Sequence, residues 1–399
     1  MTTLVAYLAN LVKGSAQDEL DGFFATIEGT ATPFRAVTKA ALTQARAKLA
    51  SSAFVELSDA ALEKFYQRPS FRRFAGFRLL AIDGSRLRLP HWPKIHNHFG
   101  SVDGKRGKPR PMAQASFVVD VLNELVLAAA IEPIRNGEKS LAVSQVATFA
   151  QGDLVLLDRG YDAHWFLAYL RSTGAHFCAR ARSGCRKLVA DFIRSGHKEL
   201  LTTLPPSTET QRVCGHESLG SDSPEVRLIR VELSTGEIEV LITSLLDTKA
   251  FPAEIFQDLY SKRWSIEERF KALKSRALIE RFTGKSVHSV NQDFHAKIFA
   301  TNLIQILASL AQDHVDREHD SKPHNLKPLY RPKINLAQAL SKSKNLVVPL
   351  LLHLRTDIID ALFHVFVNTT EPIRPGRHFP RHVSRVKLQG HHLSYAPAR

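Results

Sequence analysis

Phe77-Arg78-Leu79-Leu80-Ala81-Ile82-Asp83-Gly84 is a short, mostly apolar run closed by a carboxylate and a glycine. Such a run, bounded by a turn signal, predicts a buried strand, here one that delivers Asp83 at its end. Working outward, a polar loop rich in Gly, Pro and His runs from Pro90 to Pro111. Two apolar runs follow, Ala115 to Leu122 and Leu125 to Ile131, parted by Asn123-Glu124, which predicts a hairpin. After Asn136-Gly137, residues Glu138 to Ala150 carry helical spacing. Leu154 to Leu157 is a second short buried strand, and it too ends in a carboxylate, Asp158. Ala163 to Ser172 then predicts a helix and Phe177 to Ala181 a fifth strand.

The order is therefore strand, strand, strand, helix, strand, helix, strand. The first three strands can be antiparallel, whereas those alternating with helices should be parallel. This is the order of a ribonuclease H-like core, an α/β fold spanning 71–184 and resuming at 251–316. Residues 185–250 predict a β-rich insertion. There Val226 to Leu233 and Ile238 to Thr243 flank Ser234-Thr235-Gly236-Glu237 as a hairpin, and Ser207 to Pro224 is loop-like. Residues 1–70 form a helical N-terminal domain. Val37, Ala41, Ala45 and Leu49 recur every four residues, with Lys39, Arg46 and Lys48 elsewhere on the helix. It is either a DNA-binding module or a plain helical cap. An apolar helix is expected over Phe294 to Leu310, and 317–399 is a basic C-terminal region. From Glu371 to Arg399 there are six Lys or Arg and one acidic residue.

Lys and Arg total 54 against 39 Asp and Glu, a net charge of +15. A surplus of that size implies a polyanionic partner, of which nucleic acid is the commonest, unless it serves only to solvate the surface. Three cysteines, Cys178, Cys185 and Cys214, with no C-x-x-C pair argue against a disulfide framework or a zinc ribbon, and for a reducing compartment. Met1 to Gly14 lacks the features of a signal peptide, and Leu346 to Leu354 is too short to span a bilayer. A cytoplasmic, nucleoid-associated protein with no membrane partner is expected.

A long helix beginning near Pro252-Ala253-Glu254 and running to about Arg276 carries Tyr260, Arg263, Glu267 and Lys274. With Tyr260 at 0°, the other three fall at about 300°, 340° and 320° at 100° per residue. Ile266, Phe270 and Leu273 fall at about 240°, 280° and 220°, so the polar row borders the buried face, while Glu268 near 80° lies apart. An acid, two cations and a hydroxyl in one row suit a metal and phosphate site; Arg263 and Glu267 also form an i,i+4 pair, so a structural salt-bridge row remains open. Asp83 and Asp158 at strand ends add hard oxygen ligands, enough with Glu267 for two Mg2+ ions, although each is also a good turn residue alone. Asp120 is expected to face outward from its strand rather than to serve as a fourth acid. His91, His96 and His98 crowd one loop without a recognisable zinc spacing.

Asp83-Gly84-Ser85, Asp158-Arg159-Gly160-Tyr161 and the spaced Tyr260, Arg263, Glu267 and Lys274 resemble the DDE transposases of the insertion-sequence-four family. The resemblance runs from about residue 30 to 310, with a weaker echo at Arg374-Pro375-x-Arg377-x-x-Pro380-Arg381. It implies cut-and-paste transposition: nicking at element ends by water, attack of the exposed 3′ hydroxyl on the opposite strand to form a hairpin, reopening, and strand transfer. It also implies Asp83, Asp158 and Glu267 as ligands of two Mg2+ or Mn2+ ions, and Tyr260, Arg263 and Lys274 on DNA phosphates. The implied partners are double-stranded DNA with terminal inverted repeats, target DNA and a second protomer. Members of the family can hold a flipped base on an insertion-domain tryptophan. Trp92, Trp165 and Trp264 all lie outside 185–250, so that role is unassigned. A structure-specific nuclease on the same core and a non-catalytic DNA-binding regulator derived from a transposase are the alternative functions.

Overall fold

The computed structural model describes residues 1–374 apart from 13, 103–108, 183–186, 207–222, 234–235, 345 and 354–355. Cys185, Cys214, the Ser234-Thr235 turn, the 207–222 part of the expected loop and the motif beyond Arg374 lie outside the described residues. Among the described residues the strands are β1 (Arg78–Arg88), β2 (Ser101–Val102), β3 (Arg110–Asp120), β4 (Leu125–Pro133), β5 (Asp153–Leu157), β6 (His176–Arg180), β7 (Glu199–Thr203), β8 (Glu225–Glu232), β9 (Ile238–Thr243), β10 (Pro332–Ile334) and β11 (Thr370–Pro372). The chain divides into two compact units, one of residues 69–86 and 114–270, the other of 1–68, 87–113 and 271–399.

The first unit is mixed α/β, built on a large mixed sheet in the order β4-β3-β1-β5-β6-β9-β8-β7. β1 and β5 are parallel, with Leu79 opposite Leu154 and Ala81 opposite Leu156. β5 and β6 are parallel as well. Leu79 to Ile82 and all five residues of β5 are buried, the two-sided burial that parallel strands require. Each buried Leu, Ile or Val among them contributes about 1.5–3 kcal/mol relative to exposure. Phe166, Leu167 and Leu170 of the His164–Ser172 helix pack with Leu80, Val155 and Phe177 in one core. Cys178 sits buried and unpaired on β6. The hairpin expected within 185–250 forms, as β8 and β9. It also extends the core sheet, because β9 pairs antiparallel with β6.

Two expectations change here. Asp120 does not face outward: it is buried, and its carboxylate accepts from Leu122 N, Asn123 N and Asn123 Nδ2 at 3.0, 3.0 and 2.7 Å. It caps the β3–β4 turn. The single helix expected from Pro252 to Arg276 is two helices, Ile255–Ser261 and Trp264–Ser275. Backbone bonds Arg263 N to Tyr260 O and Ile266 N to Arg263 O tighten the join into i→i+3 turns. Apolar periodicity survives one such turn, which is why the sequence pattern ran on.

In the second unit, helices Thr2–Ala9, Ala16–Glu28, Lys39–Arg46 and Ser52–Tyr66 accompany the long Val287–Ser321 helix. Asn302 donates to Ser58 Oγ at 3.0 Å, and Arg68 pairs with Asp313 at 2.8 Å. The buried stripe of Lys39–Arg46 is Leu42 and Arg46, not Ala41 and Ala45. Arg46, expected on a basic face, is instead buried against Asp293 at 2.8 Å. The apolar helix expected over Phe294 to Leu310 is the longer Val287–Ser321, by length and composition alone enough to cross a membrane. It buries Gln292, Asp293 and Lys297, as a core helix does. β2 pairs with the start of β3, and β10 with β11. His96 contacts Ser101 Oγ at 3.0 Å.

Candidate active site

Asp83 and Asp158 occupy equivalent places on neighbouring parallel strands, each two residues past the Ala81–Leu156 pair. Burial in β1 is complete through Ile82 and relaxes at Asp83, so the carboxylate emerges where the apolar run stops. Strands about 4.8 Å apart bring like charges within range of one another. Asp83 is pushed up to about 6, first by burial and then by Asp158 and Glu138, against the lowering effects of the Gly84 amide and Arg263.

Each aspartate is fixed by the glycine that follows it. Gly84 N donates to Asp83 Oδ1 at 2.8 Å, and Gly160 N to Asp158 Oδ1 at 2.6 Å. A Cβ at Gly160 would lie 2.8 Å from Asp158 Oδ1, so a larger residue there would push the carboxylate aside. The loop after β5 is held by Arg182, whose Nε donates to Arg159 O at 2.7 Å and whose amide donates to Asp162 at 3.0 Å.

The helical side of the site is Tyr260, Arg263 and Glu267. Arg263 is 8% exposed and reaches Glu267 Oε1 with Nη2 at 3.3 Å. Burial alone would lower the guanidinium, but Tyr260, Asp83, Glu267 and Asp158 outweigh it and raise it. One buried cation, in the turn between the two helices, thus feels Asp83 of β1, Asp158 after β5 and Glu267 together. The Tyr260 hydroxyl, expected on a phosphate, donates to Leu157 O at 3.2 Å, and burial raises its pKa. Lys274 belongs to the other compact unit. It is half-buried, lowered by burial, with Glu280 and Arg88 among its charged neighbours.

Two side chains here carry no role expected from the sequence, Glu138 and the Tyr161 of the Asp158-Arg159-Gly160-Tyr161 motif. Glu138 opens the Glu138–Gln145 helix, where an acid in the first turn is ordinary. Its carboxylate lies directly over Gly84, with Cγ and Oε1 2.3 Å from where a Cβ would be. Tyr161 is buried, and its hydroxyl has no hydrogen-bond partner among the described residues.

The donor set fits a hard divalent cation: it consists of carboxylate oxygens whose like charges disfavour one another. Glu267, however, rests on Arg263, and among the described residues no three His, Cys, Asp or Glu side chains converge tightly enough to hold a metal by themselves.

Fold and site together define an α/β protein with an acid-rich centre just past the last β1–β5 pair, Asp83 midway along β1 and Asp158 directly after β5, backed by the Arg263–Glu267 pair. Residues 75–303 match the transposase DDE domain family, and the chain belongs to that family. It is 27% identical over 276 residues to transposase InsG for insertion sequence element IS4 of Escherichia coli K12, covering 67% of this chain and 61% of that protein. It is 25% identical over 181 residues to the putative transposase InsZ of the same organism, covering 44% and 60%. The chain thus spans about three fifths of the length of these relatives. Among solved structures, the piggyBac transposase synaptic complex with hairpin DNA superposes at a TM-score of 0.43 and 8% identity, covering 94% of this chain and 78% of that one.

Proposed function

We propose that this chain is a DNA transposase that carries out cut-and-paste transposition of an insertion sequence, with Asp83, Asp158 and Glu267 as its acidic triad. What supports the reading is that Asp83, Asp158 and Glu267 all act electrostatically on the buried Arg263, inside the span that matches the family. The order β4-β3-β1-β5-β6 supports a ribonuclease H-like core, with 185–250 inserted before the glutamate helix.

Asp83, Asp158 and Glu267 would hold two Mg2+ or Mn2+ ions, which when bound supply an activated oxygen nucleophile and neutralise charge on the phosphodiester. The chain's own groups then have separable tasks. The Gly84 and Gly160 amides fix one oxygen of each aspartate. Arg263 holds Glu267 and offsets the acids. Tyr260 ties its helix to the strand end bearing Asp158. Lys274 and the surplus of +15 would meet DNA phosphates, a salt-sensitive and sequence-independent attraction. The substrates would be double-stranded DNA with terminal inverted repeats and a target duplex, joined by two protomers in the cytoplasm at the nucleoid.

The test is divalent-metal-dependent cleavage of DNA carrying the flanking repeats, wild type beside Glu267→Gln. Cutting at the repeat ends by wild type alone, with end binding kept by the variant, is expected. Full cleavage by Glu267→Gln would overturn the triad. Binding without cleavage by either protein would favour the non-catalytic regulator.

A further inference from the structure

The Lys39–Arg46 helix has eight residues, too few to hold its shape alone. Only Leu42 and Arg46 of it are buried. Buried polar side chains from two other helices, Ala16–Glu28 and Val287–Ser321, fasten both its ends. At the start, Gln17 Nε2 donates to Val37 O at 2.9 Å and Gln17 Oε1 accepts from Lys39 N at 3.1 Å. The Thr38 hydroxyl accepts from Ala41 N at 3.3 Å. At the end, Gln292 Nε2 donates to Arg46 O and Leu49 O at 2.9 and 2.6 Å. Gln292 Oε1 accepts from Arg46 Nε at 2.8 Å, beside the Arg46–Asp293 pair. Terminal backbone groups that a short helix leaves open are thus satisfied by fixed partners.

The face so mounted has a definite composition. With Leu42 at 0° and 100° per residue, Arg46 falls at about 40° and Gln44 at about 200°, opposite the buried pair. Ala40 and Ala47 flank Gln44 at about 160° and 140°, and their methyls leave room for a close approach. Gln44, Ala40, Ala47, Thr43, Lys39 and Lys48 are all exposed. No acid occurs between Glu28 and Glu56, a stretch that carries Arg35, Lys39, Arg46 and Lys48. A merely solvated helix face mixes charges of both signs. A face that is positive at its flanks and bears a glutamine among alanines at its centre complements the major groove of a duplex. There a glutamine bonds adenine N6 and N7 together, alanine meets the thymine methyl, and lysines meet phosphates.

We propose that the Lys39–Arg46 helix enters the major groove of duplex DNA, with Gln44 reading a base edge and Lys39 and Lys48 on flanking phosphates. That duplex is the substrate of the transposase reading, on which this assignment rests. The double fastening has a purpose in it. A side chain discriminates between bases only if the backbone that carries it does not shift to accommodate the wrong one.

Selection from a random-sequence duplex pool by the full chain, in chelator so that no strand is cut, tests this apart from catalysis. Wild type, Gln44→Ala and the double variant Lys39→Ala, Lys48→Ala are compared. All three positions are exposed, so each variant should keep the fold, which circular dichroism checks. Wild type is expected to enrich a defined sequence. Gln44→Ala is expected to lose the preference at one or two adjacent base pairs, to bind the selected duplex about tenfold more weakly, and to bind the unselected pool within about twofold of wild type. The lysine variant should weaken selected and unselected duplexes alike, and flatten the fall of log affinity with log salt by about two. Enrichment of the wild-type sequence by Gln44→Ala at undiminished affinity would overturn the reading role. An unchanged salt slope in the lysine variant would overturn the placement of the helix on DNA. Either result leaves the acidic triad standing, since cleavage alone reads it. Failure of wild type to bind any duplex would overturn the transposase reading and this assignment together.

Discussion

The Tyr260 hydroxyl donates to the carbonyl oxygen of Leu157 at 3.2 Å, across 103 residues of sequence. Leu157 is the last residue of β5, and Asp158 follows it directly. The Ile255–Ser261 helix, which precedes the helix bearing Glu267, is thereby pinned to the strand that Asp158 follows. Because the hydroxyl is turned to the protein, Tyr260→Phe should lower the rate of strand cleavage by about tenfold while DNA affinity changes less than twofold. Loss of the bond should cost about 0.5–1.5 kcal/mol of stability. DNA affinity falling in step with the rate would place the hydroxyl on a phosphate instead.

Asp83 gives a pH prediction whose sign is fixed by its raised pKa. The ordinary value of 3.8 becomes about 6 in the folded chain, chiefly through burial. The folded state therefore binds the proton more tightly than the unfolded one. In metal-free protein the ionised carboxylate costs stability at pH 7. That cost fades as pH falls through about 6 and is gone below about 4. Asp83→Asn, which keeps an acceptor for the Gly84 amide, should stabilise the metal-free protein by about 1–3 kcal/mol at pH 7 and have little effect near pH 4. Chemical denaturation at the two pH values in the presence of chelator measures both. Equal effects at both would show that the proton is not what differs.

Arg46 and Asp293 are 6% and 4% exposed at their side chains and pair at 2.8 Å. Arg46 also donates to Gln292 Oε1, Thr283 Oγ1 and Ser289 O, at 2.8, 2.6 and 2.9 Å. Removing the cation alone strands a buried carboxylate and three acceptors. Arg46→Ala should cost about 3–5 kcal/mol in the denaturation midpoint of its unit, and Asp293→Ala a similar amount. The double variant should lose less than the sum of the two. Strict additivity in that cycle would show that the two side chains are not energetically coupled.

What the sequence disclosed about this protein follows from where the determining forces act. β5 and the buried half of β1 were legible because two-sided burial writes an unbroken apolar run; the strand expected to end at Asp83 instead continues to Arg88, where burial is partial and the apolar signal is lost. β7 was not, since Glu199–Thr203 is almost entirely exposed and carries no pattern. The hairpin β8–β9 could be recognised by its turn, but its pairing with β6 depends on contacts distant in sequence. Asp120 and Arg46 were misjudged for one reason: polar side chains at helix and strand positions are expected in solvent until a partner is known, and their partners are set by tertiary packing. Glu138 escaped notice because nothing local marks it. It lies against Gly84 only in the folded chain.

Arg269 offers a test of how far burial of charge can run against stability. It lies on the same helix as Glu267, is 4% exposed, and none of its three guanidinium nitrogens has a hydrogen-bond partner among the described residues. Burial lowers its pKa to about 10, with Glu124 pulling the other way. A base whose folded pKa falls below its unfolded one destabilises the fold while charged, and at pH 7 it is still charged. The penalty is present in full below about pH 10 and declines only above it. Arg269→Met keeps the apolar stem and discards the charge. It should raise the denaturation midpoint, by about 1–3 kcal/mol, as replacing buried charge by a packed apolar side chain often does. A variant less stable than wild type would show instead that attraction to Glu124 exceeds the cost of burial. The guanidinium would then be a fastening between the helix and the β3–β4 turn.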